Sequence, residues 1–362
     1  MTAGVAVSGE AWDHRRPGRR DGLAAGNQRE GNVKVIIPLA GKGTRLRPHT
    51  YVTPKPLLRV GGQPVMSYIL ADLERLGVRE IVFITGYLKE TIEAYVAAEW
   101  PQFRSHFVEQ PVQDGTAGAV RLAAPFIDED CLIMFVDTLF DADLSLTARL
   151  PAQLAGVIWA KEVEDYQSFG VILHDAERNM VRIIEKPDEP VSKLANIGLY
   201  YIRDWKLLFD GVHHTMRQPP GKSGEYYLTD AFQYMIDKGA KIRVEEVSGW
   251  YDCGQLETLL ETNRHLLESG RALAPVNGRN VEVKGPVRVP AGVTLDNVTI
   301  GPNVTIEPGS TIRDATLRDC IIGANVTIAR SDIHDSMIGD HAVVEGAAGI
   351  LSIGAHSEVR GG

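Results

Sequence analysis

The sequence has little cysteine and no long apolar run. Its three cysteines, Cys131, Cys253 and Cys320, stand far apart without paired spacing. That pattern excludes a zinc ribbon and a disulfide-stapled fold, and it fits a reducing compartment. No apolar stretch reaches the roughly 20 residues of a membrane-spanning helix. The chain is therefore expected in the cytoplasm, away from the membrane. Positive charge is in the minority: 38 Lys and Arg face 47 Asp and Glu, for a formal net charge of −9. There is no basic stripe of the kind a nucleic-acid surface needs, so no nucleic-acid partner is expected. A nucleotide remains a possible ligand, because the local field of a cleft matters more than the total charge.

What is present divides into three textures. Residues 1–31 hold Arg15, Arg16, Arg19, Arg20 and several glycines, with no apolar periodicity and no secretory h-region. They read as a disordered tail. A sharper expectation places the native start near Val33. From there Val33–Leu39 is a short, nearly continuous apolar run, the mark of a buried parallel strand. Met66, Ile69, Leu70 and Leu73 follow at i, i+3, i+4 and i+7, one face of an amphipathic helix. Glu80–Thr85 and Cys131–Val136 read as further strands, and Glu90–Ala98 as a second helix. Strands alternating with helices predict a mostly parallel, Rossmann-like α/β sheet over 32–270, with ligands held beyond the carboxyl ends of its strands.

Over 278–362 the helical spacing disappears. Val289, Leu295, Ile300, Ile306, Ile312, Leu317, Ile322, Ile328, Ile333 and Ile338 recur every five or six residues, with polar turns between them. One inward aliphatic per hexad is the signature of a parallel β-helix. The five-residue steps predict short or bulged corners.

The residues that carry chemistry follow the predicted strands. In Leu39-Ala-Gly-Lys-Gly-Thr-Arg-Leu-Arg-Pro48, Gly41 and Gly43 let main-chain N–H groups approach phosphate oxygens. Arg45 offers a planar fork of donors, and Lys55 a flexible charge between two prolines. This is not a Walker loop, because no Gly-Lys-Ser/Thr follows it. Gln110 opens Gln-Pro-Val-Gln-Asp-Gly-Thr-Ala, and an amide can read a base edge with its donor and its acceptor. Asp137 sits at the mouth of a buried strand, where a carboxylate is costly unless it is paired or metal-bound.

Gly41-Lys-Gly-Thr-Arg-Leu-Arg-Pro48 and Pro54-Lys-Pro-Leu-Leu-Arg-Val-Gly-Gly-Gln-Pro64 resemble the signature of the sugar-1-phosphate nucleotidyltransferases. The resemblance extends to about residue 265, and the repeats resemble the hexapeptide tail, a left-handed β-helix, of longer members. Two positions depart from the usual pattern: Lys42 replaces a glycine, and Val136 replaces the glycine before Asp137. The resemblance implies Arg45, Lys55 and Lys186 as catalytic residues. It implies a nucleotide site of Leu39, Gly41, Gly43, Thr44, Gln110, Gly115 and Thr116. The sugar phosphate falls to Gly170, Glu185, Lys186 and Asn196, and Mg2+ to Asp137 and Asp252, the latter in Trp250-Tyr-Asp-Cys-Gly254.

The implied reaction joins a nucleoside triphosphate to a sugar 1-phosphate and releases pyrophosphate. Glucose 1-phosphate with dTTP or UTP is the expected pair, and mannose 1-phosphate with GTP the alternative. A homo-oligomer is expected. Two readings of another class compete. One is a second, acyltransferase activity in the β-helix, where His334, His341 and His356 are the candidate bases but are expected to be exposed coil residues. The other is a sugar-nucleotide-binding subunit without catalysis.

Overall fold

The structure is a computed structural model that describes residues 33–221, 224–273 and 278–361. The expected tail, 1–31, lies outside the described residues. The first elements are β1 (Lys34–Pro38), a small hairpin β2–β3 (Arg59–Val60 and Gln63–Pro64), α1 (Val65–Arg75), β4 (Glu80–Thr85), α2 (Lys89–Glu99) and β5 (Arg104–Glu109). Then come α3 (Thr116–Leu122), β6 (Cys131–Met134), β7 (Thr138–Asp141), β8 (Gly156–Glu162), β9 (Gly170–His174), β10 (Met180–Glu185) and β11 (Leu194–Ile202). The α/β part closes with α4 (Trp205–Thr215), α5 (Leu228–Asp237), β12 (Ile242–Glu246), β13 (Gly249–Asp252) and α6 (Leu256–Leu266).

The main sheet runs β10-β9-β11-β6-β1-β4-β5, with β8 and β12 attached beside β11. β6, β1, β4 and β5 are parallel, as a Rossmann-like arrangement requires. β11 pairs antiparallel with β6, β8 and β9, so the half beyond the switch between β6 and β11 is mixed. β1 is buried on both faces. Val35 and Ile37 enter one core and Ile36 the other, which is the period-two alternation of a strand. Met66, Ile69, Leu70 and Leu73 of α1 seal the first core, and α4 and α5 cover the second.

From Arg279 onward every strand pairs in parallel with a neighbouring coil. Register partners step from 279 to 296, 313, 329, 345 and 360, so a coil shortens from 17 to 15 residues. Each coil thus falls short of three full hexads, as the five-residue steps predict. All ten aliphatics named above line the interior. The arrangement is consistent with the left-handed β-helix of the expectation. One corner is a ladder of left-handed residues, Asn280, Asn297 and Asp314. Asn280 donates to Asn297 at 2.6 Å and Asn297 to Asp314 at 2.7 Å. Asn and Asp tolerate this backbone region better than other non-glycine residues.

The coil is packed into the α/β part. Ile321 and Met337 belong to the same core as α1. Asn263 of α6 is fully buried, and its Oδ1 accepts from Gly61 N at 2.9 Å and Thr305 Oγ1 at 2.7 Å. Its Nδ2 donates to Asn303 O at 3.2 Å. Arg59–Glu307 and Arg264–Asp319 pairs flank this point.

Candidate active site

The loop after β1 builds one wall of a cavity of about 460 Å³. Leu39 follows β1 and donates its N–H to Ile84 O at 2.7 Å. Gly43 has φ of +60°, and a Cβ there would press on Thr50 at 3.0 Å and Lys55 at 3.1 Å, so this position needs glycine. A Cβ on Gly41 would meet nothing within 4 Å, so its bare Cα faces open space. Thr44, Arg45 and Leu46 then form a single 3-10 turn. Arg45 lines the cavity and makes no ion pair among the described residues. Its guanidinium is available to a phosphate.

Lys55, packed beside Gly43, and Asp137 also line the cavity. Lys55 Nζ lies 3.1 Å from Asp137 Oδ2, with the lysine largely buried and the carboxylate half-exposed. Asp137 and Asp252 are brought together by the β7–β13 ladder, in which Thr138 partners Asp252 and Cys253 N donates to Asp137 O at 2.8 Å. Asp252 is oriented by its own turn. Its Oδ1 accepts from Gly254 N and its Oδ2 from Thr258 Oγ1, each at 3.0 Å. Among the described residues no third acidic, His or Cys ligand joins these two. An oxygen-only pair of carboxylates, with phosphate and water completing the shell, suits Mg2+. The Lys55 ammonium on Asp137 shows that this carboxylate accepts a cation. Burial pushes the Cys253 thiol, beneath both aspartates, up to about 12, which makes it a packing group and not a nucleophile.

Another stretch of the cavity wall, where the base is expected, is formed by Gln110, Gln113, Gly115 and Thr116. Gln110 directly follows β5, and its Nε2 donates to Asp114 Oδ1 at 2.9 Å and Gly115 O at 3.2 Å. Gln113 ties this loop to the phosphate loop by donating to Ala40 O at 2.7 Å. Thr116 Oγ1 accepts from Leu228 N at 2.9 Å, which joins α3 to α5.

The residues expected at the sugar phosphate gather in a second cluster, at β9, β10 and β11. The Glu185 side chain packs against Gly170 so closely that a Cβ there would fall 2.8 Å from Oε2. Burial raises the Glu185 carboxyl above its ordinary value; the Lys186 charge and a 3.2 Å hydrogen bond from Thr229 Oγ1 oppose that rise. Asn196 Oδ1 accepts from Gly198 N at 3.0 Å. Lys186 has a φ of 44°, and its Nζ sits 5.6 Å from the centre of the Tyr227 ring. Tyr200 links the two clusters. Burial raises the pKa of its phenol, Asn196, Glu185 and Asp137 lie near enough to act on it, and Phe135 of the cavity meets its ring edge-on at 6.4 Å.

Every predicted nucleotide-side residue, together with Arg45, Lys55 and Asp137, therefore borders one cavity. Asp252 lies one strand away with its neighbour Gly254 on the cavity wall, and the sugar-side residues lie next door.

Residues 34–269 match the nucleotidyl transferase family. The chain belongs to that family. Among relatives of this nucleotidyl transferase is the bifunctional protein GlmU of Methanocaldococcus jannaschii, 33% identical over 77% of this chain and 61% of that one. The chain thus spans about three-fifths of that relative's length. The glucose-1-phosphate thymidylyltransferase of Streptomyces griseus is 28% identical over 91% of this chain and 99% of its own length. The UTP–glucose-1-phosphate uridylyltransferase AglF of Haloferax volcanii is 30% identical over 65% of this chain and 97% of its own length. A crystal structure of UDP-glucose pyrophosphorylase complexed with UDP-glucose shares the fold, with a TM-score of 0.57, 24% identity, and coverage of 66% of this chain and 99% of that one.

The structure adds family-site neighbours that sequence reasoning missed. Phe135 and Glu225 line the cavity, Thr229 holds Glu185 and Tyr227 underlies Lys186. None carries a local signal: each reaches the site only through the fold. Gln113 and Asp114 lay inside the quoted Gln110 motif and were readable as polar side chains on the same loop.

Proposed function

We propose that the chain transfers a nucleotidyl group from a nucleoside triphosphate to a sugar 1-phosphate, most closely glucose 1-phosphate with dTTP or UTP. A phosphate oxygen of the sugar phosphate attacks the α-phosphorus; the bond from that phosphorus to the bridging oxygen breaks, and pyrophosphate leaves with the electron pair. The nucleophile is already an anion, so no general base is required. The protein must align two anions and cancel their repulsion. Arg45 takes the departing pyrophosphate, Lys55 the phosphates of the nucleotide, and Lys186 the sugar phosphate. Asp137 and Asp252 would hold Mg2+, which would supply charge neutralisation at the phosphates.

The observation that carries this proposal is the convergence on one cavity of three segments far apart in sequence: Gly43, Arg45 and Lys55 from one loop, Gln110 from a second, and Asp137 from a third. Glu185 and Asn196 beside it present hydrogen-bonding groups suited to hydroxyls. The family and its thymidylyl- and uridylyltransferase members support the same chemistry. A cytoplasmic location, Mg2+ and self-association belong to the proposal on the family resemblance. No helix among the described residues is long and apolar enough to cross a membrane.

Steady-state kinetics on Asp137→Asn test it. Turnover should fall on the order of a hundredfold or more, as when a charge-stabilising group is lost, while the Michaelis constant for sugar phosphate changes little. Unchanged turnover would remove Asp137 from the reaction.

A further inference from the structure

Gln110 is 7% exposed, and both partners of its Nε2, a carboxylate oxygen of Asp114 and the carbonyl of Gly115, are acceptors only. Turning the amide over would set Oε1 against two acceptors in a desolvated place. The amide therefore has one stable orientation, and its oxygen is the end left for a ligand in the cavity that Gln110 lines. The carboxylate partner also polarises the amide, which strengthens Oε1 as an acceptor.

Asp114 is itself tightly placed. Its backbone N donates to Val112 O at 2.9 Å, and its C=O accepts from Tyr226 N at 2.8 Å. Its carboxylate packs on the bare Cα of Gly118 in α3, where a Cβ would fall 1.9 Å from Oδ1. Tyr226 O closes the loop from the other side by accepting from Ala117 N at 3.0 Å. The lock is thus built from two elements and does not depend on Gln110.

We infer that Asp114 sets which bases the cavity accepts: by fixing the Gln110 amide it presents an acceptor to the base edge, so the base must offer a ring N–H there. Uracil, thymine and guanine do. Cytosine and adenine present a bare ring nitrogen at that position, and two acceptors then face each other without a proton. Asp114 is a positioning residue that acts through Gln110, and Gly118 provides its space. The inference rests on nucleotidyl transfer at this cavity and adds a rule for its substrate class.

UTP and CTP test the rule cleanly, because they match in size and differ in the polarity of that edge. Titration calorimetry of the full chain with each, in Mg2+ and without sugar phosphate, reads binding independently of turnover. The wild type should prefer UTP by on the order of a hundredfold, as expected when a buried polar group is left unpaired by the wrong ligand. In Asp114→Asn one of the two acceptors can present an amide donor instead, which weakens the lock although Gly115 O remains, so the preference should fall by about tenfold with CTP binding more tightly than before. Gly118→Ala displaces the same carboxylate from the helix side and should shift the ratio in the same direction. General damage to the loop weakens both nucleotides together. A wild type that binds UTP and CTP alike, or an Asp114→Asn protein that loses both by one factor, would overturn the inference. Pyrophosphate release from UTP and glucose 1-phosphate is followed on the same preparation. Preference without release sustains the base rule and sinks nucleotidyl transfer; release without preference does the reverse.

Discussion

His49 shows how a single side chain in the phosphate loop answers to a distant element. It is 4% exposed, its Nε2 lies 3.1 Å from Ser352 Oγ in the last coil, and its Nδ1 is buried without a partner. Burial pushes its pKa down to about 4. The folded value is below the ordinary one, so the stability this neutral imidazole contributes is present above about pH 6.5. It is lost as pH falls from there through 4, by about 3 kcal/mol in all at 1.36 kcal/mol per unit. Urea unfolding of the wild type at pH 7 and pH 4.5 should show that loss in large part, and His49→Gln should show a flatter dependence. Equal losses in both proteins would assign the acid sensitivity elsewhere. At this scale the sequence disclosed the groups whose chemistry is local. Gly43, Arg45 and Lys55 stand within one short loop, and Gln110 and Gly115 within another. Thr229, Tyr227 and the burial of His49 were not legible, because each depends on an element far away in the chain.

Elements carry the next level. The α1 stripe and the strands β1, β4 and β6 were readable because one face, or both, must be apolar to fill a core. The antiparallel order of β9, β10 and β11, which delivers Gly170, Glu185 and Asn196 to one place, was not. Strand order is fixed by long-range pairing, and no local pattern encodes it. The junction of α6 with the hairpin β2–β3 and the coil is the sharpest case. Asn263 reads in sequence as an ordinary polar helix residue, yet it satisfies Gly61, Thr305 and Asn303 at once. Asn263→Ala would leave three buried polar groups without partners, and should cost about 2–4 kcal/mol at on the order of 1 kcal/mol or more for each. Chemical denaturation of the variant measures it; a loss under about 0.5 kcal/mol, the range of ordinary surface substitutions, would mean that the junction is not built around this residue.

For the whole molecule, the α/β sheet and the parallel coil that the sequence predicts are both present, and they pack as one compact unit, not as independent modules. Ile321 and Met337 of the coil share a core with α1, and the hairpin after Lys55 is pinned between α6 and the coil. The loop after β1 therefore has the cavity on one side and the β-helix on the other. Hexad spacing disclosed that a coil exists and which residues fill it, but a repeat pattern does not say what the coil leans on. The central claim concerns the chemistry of that cavity. The most direct measurement is a pyrophosphate-release screen of UTP, dTTP, GTP, CTP and ATP against glucose-, mannose- and glucosamine-1-phosphate in the presence of Mg2+. Release should require both substrates together and be fastest with UTP or dTTP and glucose 1-phosphate. Absence of release from every pair, with the protein folded and nucleotide bound, would contradict the account.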